Sequence, residues 1–105
     1  MSRIKPNRQR QAREFARCMG SKERQAWVQD GPCLSCGRWP SVNAHIHKAE
    51  GSGAHRRGNF NQIVRLCDQH HHDYDEYKLE IPNARAAAAK LEAAWQARGE
   101  AEVAF

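Results

Sequence analysis

Two short motifs, Cys33-Leu34-Ser35-Cys36 and Cys67-Asp68-Gln69-His70, decide how this chain folds. Each places two metal-binding side chains three positions apart, a spacing that lets both members of a pair reach one ion. Together they supply three thiolates and one imidazole, donors that suit tetrahedral zinc. We therefore predict a closed structural Zn²⁺ site made of Cys33, Cys36, Cys67 and His70. The alternative is two unrelated pairs of side chains.

The length of the chain makes a stabilising metal site reasonable. Its 105 residues suffice for one small domain with a small core. The sequence contains neither an apolar run long enough to cross a bilayer nor an N-terminal secretory signal. Reducing conditions favour metal-bound thiolates over disulfides. We therefore predict a cytoplasmic protein that does not enter membranes and in which the remaining cysteine, Cys18, is a small buried residue.

Positive charge is concentrated in the first two thirds of the chain, which has a formal net charge of +5. Residues 1–38 carry nine Lys or Arg and three Asp or Glu, whereas residues 72–105 carry four and seven. Such a field favours a polyanionic partner, because each neutralised phosphate releases counterions. Charged runs are also common on ordinary solvated surfaces, so this pattern alone does not identify nucleic acid as the partner.

Periodicity and end signals divide the chain into three parts and predict an α+β fold. Residues 1–31 form a basic helical lead-in, residues 32–80 the metal-binding module, and residues 81–105 a C-terminal packing helix with a frayed tail. Ser21 is the predicted N-cap of the second helix, and Gly99 the predicted end of the last. In chain order, the predicted elements are helices 7–19 and 22–29, strands 42–47 and 62–66, and helices 68–79 and 84–98.

Histidines recur in the metal-binding module. Strict alternation along the first strand puts Ala44 and Ile46 on one face and His45 and His47 on the other, so one face can pack while the other presents two imidazoles. In the third predicted helix, His71 and Asp75 are four residues apart, which lets both side chains hold one metal ion. His70 is rotated from His71 by about 100° and can serve the zinc site instead.

A glycine-rich basic loop separates the two predicted strands. Gly51, Gly53 and Gly58 allow the backbone of residues 48–59 to approach a phosphate chain closely. The predicted nucleic-acid contacts come from this loop, the second strand and the first helix. They are Lys48, Arg56, Arg57, Arg65, Arg10, Arg13 and Arg17.

The order of these features resembles the HNH nuclease family, also called ββα-metal or His-Me finger nucleases. The similarity is to the small zinc-stabilised members of phage and prophage origin, and it covers residues 33–75. The motifs that carry it are weak singly, and their order and spacing make the match more specific. They are Cys33-x-x-Cys36, Ala44-His45-Ile46, Gly51-Ser52-Gly53, Asn61 and Leu66-Cys67-x-x-His70-His71-x-x-x-Asp75.

The resemblance implies a small zinc-stabilised ββα-metal module with flanking helices and an endonuclease that hydrolyses DNA phosphodiester bonds with low intrinsic sequence specificity. It implies His45 as the general base, and His71 and Asp75 as ligands of a catalytic divalent cation such as Mg²⁺ or Mn²⁺. Asn61 would brace the loop and orient the base. Such hydrolysis needs a proton acceptor that titrates near neutral pH and a cation that neutralises charge on the phosphate, so the implied parts suit the reaction.

The resemblance also implies a cellular location and partners. A phage-encoded protein of this kind would act in the cytoplasm of the bacterial host. Its partners would be DNA and, in some cases, phage packaging or recombination proteins. Two other functions therefore stay open beside the nuclease: a non-catalytic zinc-stabilised DNA-binding module and a scaffold in a packaging or recombination complex.

One position departs from the family pattern. Many members have an acidic or histidine metal ligand directly before the base, and this chain has Ala44 there. Either His45 is itself a ligand of the catalytic cation and His47 or His55 accepts the proton, or the cation has two protein ligands plus water, or the site is degenerate. The spacing of Asn61 from Cys67 is also one residue longer than expected, so Asn59 competes for its role.

Overall fold

The computed structural model describes residues 8–48 and 57–103, with side chains as far as residue 98. Within these ranges the chain forms four α-helices and two β-strands, which confirms the expectation of a small α+β fold. Among the described helices, none has both the length and the apolar character that crossing a bilayer requires. In chain order the elements are α1 (Arg8–Met19), α2 (Lys22–Gln29), β1 (Val42–His45), β2 (Ile63–Leu66), α3 (Asp68–Asp75) and α4 (Ala84–Val103).

The two strands form an antiparallel pair in which His45 lies opposite Ile63. The alternation predicted for the first strand is confirmed by burial as far as His45, where β1 ends, two residues earlier than predicted. Ala44 and Ile46 are buried, while His45 and His47 are partly exposed. His45 lies opposite Ile63 of the second cluster, whereas His47, beyond the end of β1, stacks on Tyr74 of the cluster that contains Ala44.

The sheet separates two hydrophobic clusters. Val64 faces the cluster formed with α3 and α4, whereas its neighbour Ile63 faces the cluster formed with α1 and α2. Cys18 belongs to the second cluster and is 5% exposed, which confirms its predicted burial. The buried members are Cys33, Ala44, Ile46, Val64, Leu66, Cys67, Tyr74 and Ala88 in the first cluster and Cys18, Met19, Val28 and Ile63 in the second.

The junction between α1 and α2 follows the predicted end signals. Gly20 has φ +83°, the left-handed region that glycine enters without steric cost, and a Cβ atom there would lie 2.9 Å from Cδ of Arg24. Ser21 caps α2, since its hydroxyl oxygen accepts a 3.0 Å hydrogen bond from the backbone N–H of Arg24. This junction turns α2 toward the sheet immediately after α1.

Two predicted helix ends differ from the structure. The third helix ends at Asp75 rather than near residue 79, because the chain turns through Tyr77, whose φ is +61°. The last helix continues through Gly99 to Val103, so its predicted end was wrong. An interior glycine costs a helix only about 1 kcal/mol, which strong helix formers on both sides can offset.

A buried ion pair joins α2 to α4. The Arg24 side chain is 1% exposed, and its Nη2 atom lies 2.7 Å from Oε2 of Glu92. The guanidinium also lies over the ring of Phe60, 5.3 Å from its centroid. Its Nε and Nη1 atoms are buried without a hydrogen-bond partner, so Glu92 is the carboxylate that compensates this charge.

We predict that Glu92→Gln destabilises the protein by on the order of 3 kcal/mol, because it leaves the buried guanidinium of Arg24 without its carboxylate. Arg24→Met should cost less, since it removes the buried charge and keeps most of the volume. Urea unfolding at a fixed zinc concentration measures both variants, with the exposed Lys90→Gln on the same helix as control. Wild-type stability of Glu92→Gln would contradict the role given to this pair.

Candidate functional site

The three cysteines and the histidine predicted to bind zinc come together in the structure. The ligand atoms of Cys33, Cys36, Cys67 and His70 all lie within 4.8 Å of one another. The Sγ atoms of Cys36 and Cys67 are 3.8 Å apart, and Sγ of Cys33 is 3.6 Å from Nδ1 of His70. Tetrahedral zinc with ordinary bond lengths requires separations of about 3.8 Å between sulfurs and about 3.6 Å between sulfur and nitrogen. The cluster can therefore hold a metal ion such as zinc.

Backbone hydrogen bonds shape the first half of this cluster. The N–H of Gly37 donates to the Cys33 carbonyl at 2.8 Å, and the N–H of Leu34 donates to the Arg65 carbonyl at 2.8 Å, which ties the turn to β2. Burial acts to raise the pKa of the Cys33 thiol, but N–H groups of the surrounding backbone and His70 bring this pKa down to about 6. Cys33 is thus largely a thiolate at neutral pH, the form that binds metal.

Cys67 and His70 complete the cluster from the start of α3. Cys67 is the N-cap of that helix, and His70 follows within its first turn. Their Sγ and Nδ1 atoms are 3.2 Å apart. One ion would therefore connect the turn before β1 to the N-terminus of α3.

We predict that Cys36→Ser lowers zinc affinity and unfolds the protein at ambient temperature, because a core this small depends on metal-derived stability. Zinc content and the far-ultraviolet circular dichroism spectrum measure the two effects. Cys18→Ala is the matched control, since Cys18 is buried but lies outside the cluster. A Cys36→Ser protein that stays folded with stoichiometric zinc would contradict the assignment.

His45, the candidate base, is held by α1. Its Nε2–H donates to the Cys18 carbonyl at 2.7 Å, which leaves Nδ1 of the neutral ring free to accept a proton. Burial lowers the pKa of His45 below its ordinary value, and the hydrogen bond to Cys18 opposes this effect. The positive charges of Arg57 and Arg17 lower the pKa further. This environment favours the neutral imidazole of His45.

Two of the residues predicted to hold the catalytic cation form a pair on α3. Nε2 of His71 lies 3.3 Å from Oδ2 of Asp75, and both side chains are at least one third exposed. In residues 8–48 and 57–98, the zinc cluster is the one group of three or more metal-binding side chains close enough to share an ion. His45, the other predicted ligand of that cation, therefore does not join His71 and Asp75 in such a group. His55 lies outside the described residues.

His47 is packed against tyrosines. Its ring stacks on that of Tyr74 with centroids 3.8 Å apart, and its backbone N–H donates to the Tyr74 hydroxyl at 2.8 Å. Nε2 of His47 is buried and has no hydrogen-bond partner. This environment differs from that of His45, because β1 ends at His45 and His47 packs against α3 instead of α1.

The two candidate asparagines lie in different surroundings. Asn61 is exposed and lines a cavity of about 460 Å³ beside α4. Oδ1 of Asn59 accepts a 3.0 Å hydrogen bond from Nη1 of Arg17, whose Nη2 donates to the Arg57 carbonyl at 2.7 Å. Asn59 is thus connected to the end of α1 that also holds His45. The sequence spacing had left open which of the two asparagines braces the loop and orients the candidate base.

Two of the predicted nucleic-acid contacts are engaged within the fold. Arg65 donates from Nε to the Val28 carbonyl and from Nη2 to the Trp27 carbonyl, each at 2.9 Å, so it caps the end of α2. Arg17 connects α1 to Arg57 and Asn59, as described above. Arg56 lies outside the described residues. The remaining predicted contacts have exposed side chains, and we refer to them together as the exposed basic surface: Arg10, Arg13, Lys48 and Arg57.

We predict that Arg57→Gln raises the pKa of His45, because it removes a positive charge that disfavours the imidazolium. Nuclear magnetic resonance titration of the His45 ring in zinc-loaded protein, without other divalent cations, measures this pKa. Arg13→Gln, on the exposed surface of α1, is the control and should leave the pKa unchanged. The same pKa in Arg57→Gln and in the wild type would contradict the electrostatic argument.

Comparison with known proteins adds no relative: no protein-family model matches the chain, and neither curated proteins nor solved structures gave a significant match.

Proposed function

We propose that this protein is a metal-dependent endonuclease of the HNH type that hydrolyses DNA phosphodiester bonds with low intrinsic sequence specificity. The observation that supports this proposal best is the environment of His45. Its Nε2–H is bound by the Cys18 carbonyl, its pKa is lowered, and Nδ1 is the nitrogen left to accept a proton. A general base needs a neutral imidazole with one oriented, accepting nitrogen, and the hydrogen bond to Cys18 supplies that orientation.

In this proposal, His45 takes a proton from water at Nδ1, and the resulting hydroxide oxygen forms a bond to phosphorus while the bond to the leaving oxygen breaks. The Cys18 carbonyl then stabilises the imidazolium, because its oxygen accepts from Nε2–H in both protonation states. His71 and Asp75 would hold the divalent cation. When bound, this cation supplies charge neutralisation at the phosphate and at the leaving oxygen.

The exposed basic surface supports the choice of substrate. Arg10 and Arg13 on α1, with Lys48 and Arg57 at the edges of the loop, can contact phosphates but carry no base-reading pattern by themselves. Contacts of this kind give affinity that depends on salt rather than on sequence. Low sequence specificity follows from them.

The second candidate is a non-catalytic zinc-stabilised module that binds DNA through the same surface. It is favoured by Ala44, which supplies no ligand beside His45, and by the fact that His71 and Asp75 have no third metal-binding side chain close to them in the described residues. A scaffold in phage packaging or recombination rests on the family resemblance alone.

We predict that His45→Ala lowers the rate of plasmid nicking by about 10² to 10⁴-fold, the range for loss of a general base. The assay uses zinc-loaded protein with added Mg²⁺, Mn²⁺, Ni²⁺ or Co²⁺. His72→Ala is the matched control, because His72 is exposed and pairs with Glu76 on the same helix. Zinc content should be unchanged in both variants.

Two results would overturn parts of the proposal. Wild-type nicking by His45→Ala would exclude His45 as the base. Strong, salt-dependent DNA binding without nicking in any of the four metals would exclude the nuclease and support the binding module.

A further inference from the structure

The rings of His47, Tyr74 and Tyr77 form an aromatic column. The His47 ring lies 3.8 Å from Tyr74 with an interplanar angle of 2°, and 4.2 Å from Tyr77 with an angle of 29°. Two rings this close cannot share one face of an imidazole, so His47 lies between the two tyrosines. Tyr74 is 3% exposed and anchors the column in the core.

The outer ring of the column belongs to a residue in an unusual conformation. Tyr77 has φ +61°, a left-handed region that residues with a Cβ enter at a cost and that glycine enters freely. Its N–H donates to the Tyr74 carbonyl at 3.0 Å, in the turn that ends α3. Tyr77 is nevertheless 77% exposed, so a bulky apolar ring occupies a position where glycine would be easier to accommodate. Backbone strain of this kind is concentrated at functional sites.

We infer that the open face of Tyr77 is a stacking site for a nucleobase of an unpaired DNA strand. Aromatic rings bind bases through stacking, which tolerates any base because every base has a π face. The column is close in sequence to two candidate site residues: His47 is two residues from His45, and Tyr77 is two residues from Asp75. This inference rests on the proposed function, because it names how that site would hold its substrate.

The charges around the column are compatible with a nucleotide. Lys48 directly follows His47 and is exposed, so it can reach a phosphate next to the stacked base. Lys78, which follows Tyr77, pairs with Glu76 at 2.8 Å. The nearby carboxylates of α3 have cationic or hydrogen-bonding partners: Asp73 with Gln69, Asp75 with His71, and Glu76 with His72 and Lys78.

The test is a titration of a short single-stranded DNA oligonucleotide that contains 2-aminopurine, with zinc-loaded protein and no other divalent cation. The wild type should quench the fluorescence as the base stacks. Tyr77→Gly should abolish the quenching and weaken binding about tenfold, the effect of losing one stacked base. Tyr77→Phe is the matched control and should behave as the wild type, because it keeps the ring.

Tyr77→Asn provides a second variant without an aromatic ring, since Asn also tolerates the left-handed region. Wild-type quenching and affinity in either folded variant, or no quenching by the wild type, would overturn the stacking site. Plasmid nicking is scored separately. Quenching without nicking supports the stacking site and excludes only the proposed nuclease activity. Nicking without quenching excludes only the proposed stacking site.

Discussion

The cluster of three thiols and one imidazole is the constraint on which the rest of the structure depends. Cys33 and Cys36 precede β1, while Cys67 and His70 open α3, so a single ion would connect the two ends of the hairpin unit. The hydrophobic clusters are small and lie on opposite faces of a two-stranded sheet. A sheet of this size is marginal by itself, because isolated hairpins gain little from burial. A bound ion would therefore fix the position of His45 on β1 relative to the histidines of α3.

Much of the fold could be predicted from local signals. The spacing of the metal ligands, the Ser21 cap and the alternation along β1 each depend on residues that are close in sequence, and each is confirmed by the geometry. Long-range partners could not be predicted in this way. The carboxylate that compensates Arg24 is 68 residues away, and Arg65 donates to carbonyls 37 and 38 residues away. The sequence does not show whether a basic side chain contacts phosphate or the carbonyls at a helix end.

In the candidate site, too, local contacts could be predicted from the sequence and long-range contacts could not. The pairing of His71 with Asp75 could be predicted, because four residues along a helix bring two side chains to one face. The acceptor that orients His45 could not, since it is a backbone carbonyl in α1, 27 residues earlier, and any residue type would supply it. The sequence likewise gave no reason to prefer Asn59, whose bond to Arg17 spans 42 residues. Motifs record side-chain chemistry, whereas these contacts depend on tertiary packing.

The hydrogen bond between His45 and Cys18 joins the helical lead-in to the metal-binding module. Although the lead-in and the metal-binding module look separable in sequence, the imidazole takes its orientation from the last turn of α1. Arg17, in the same turn, also donates a hydrogen bond to the Arg57 carbonyl, in the last part of the basic loop. Removal of α1 would take away both the acceptor that orients His45 and the hydrogen bond to the Arg57 carbonyl. The N-terminal helix is thus part of the surroundings of the imidazole and not a separable cover.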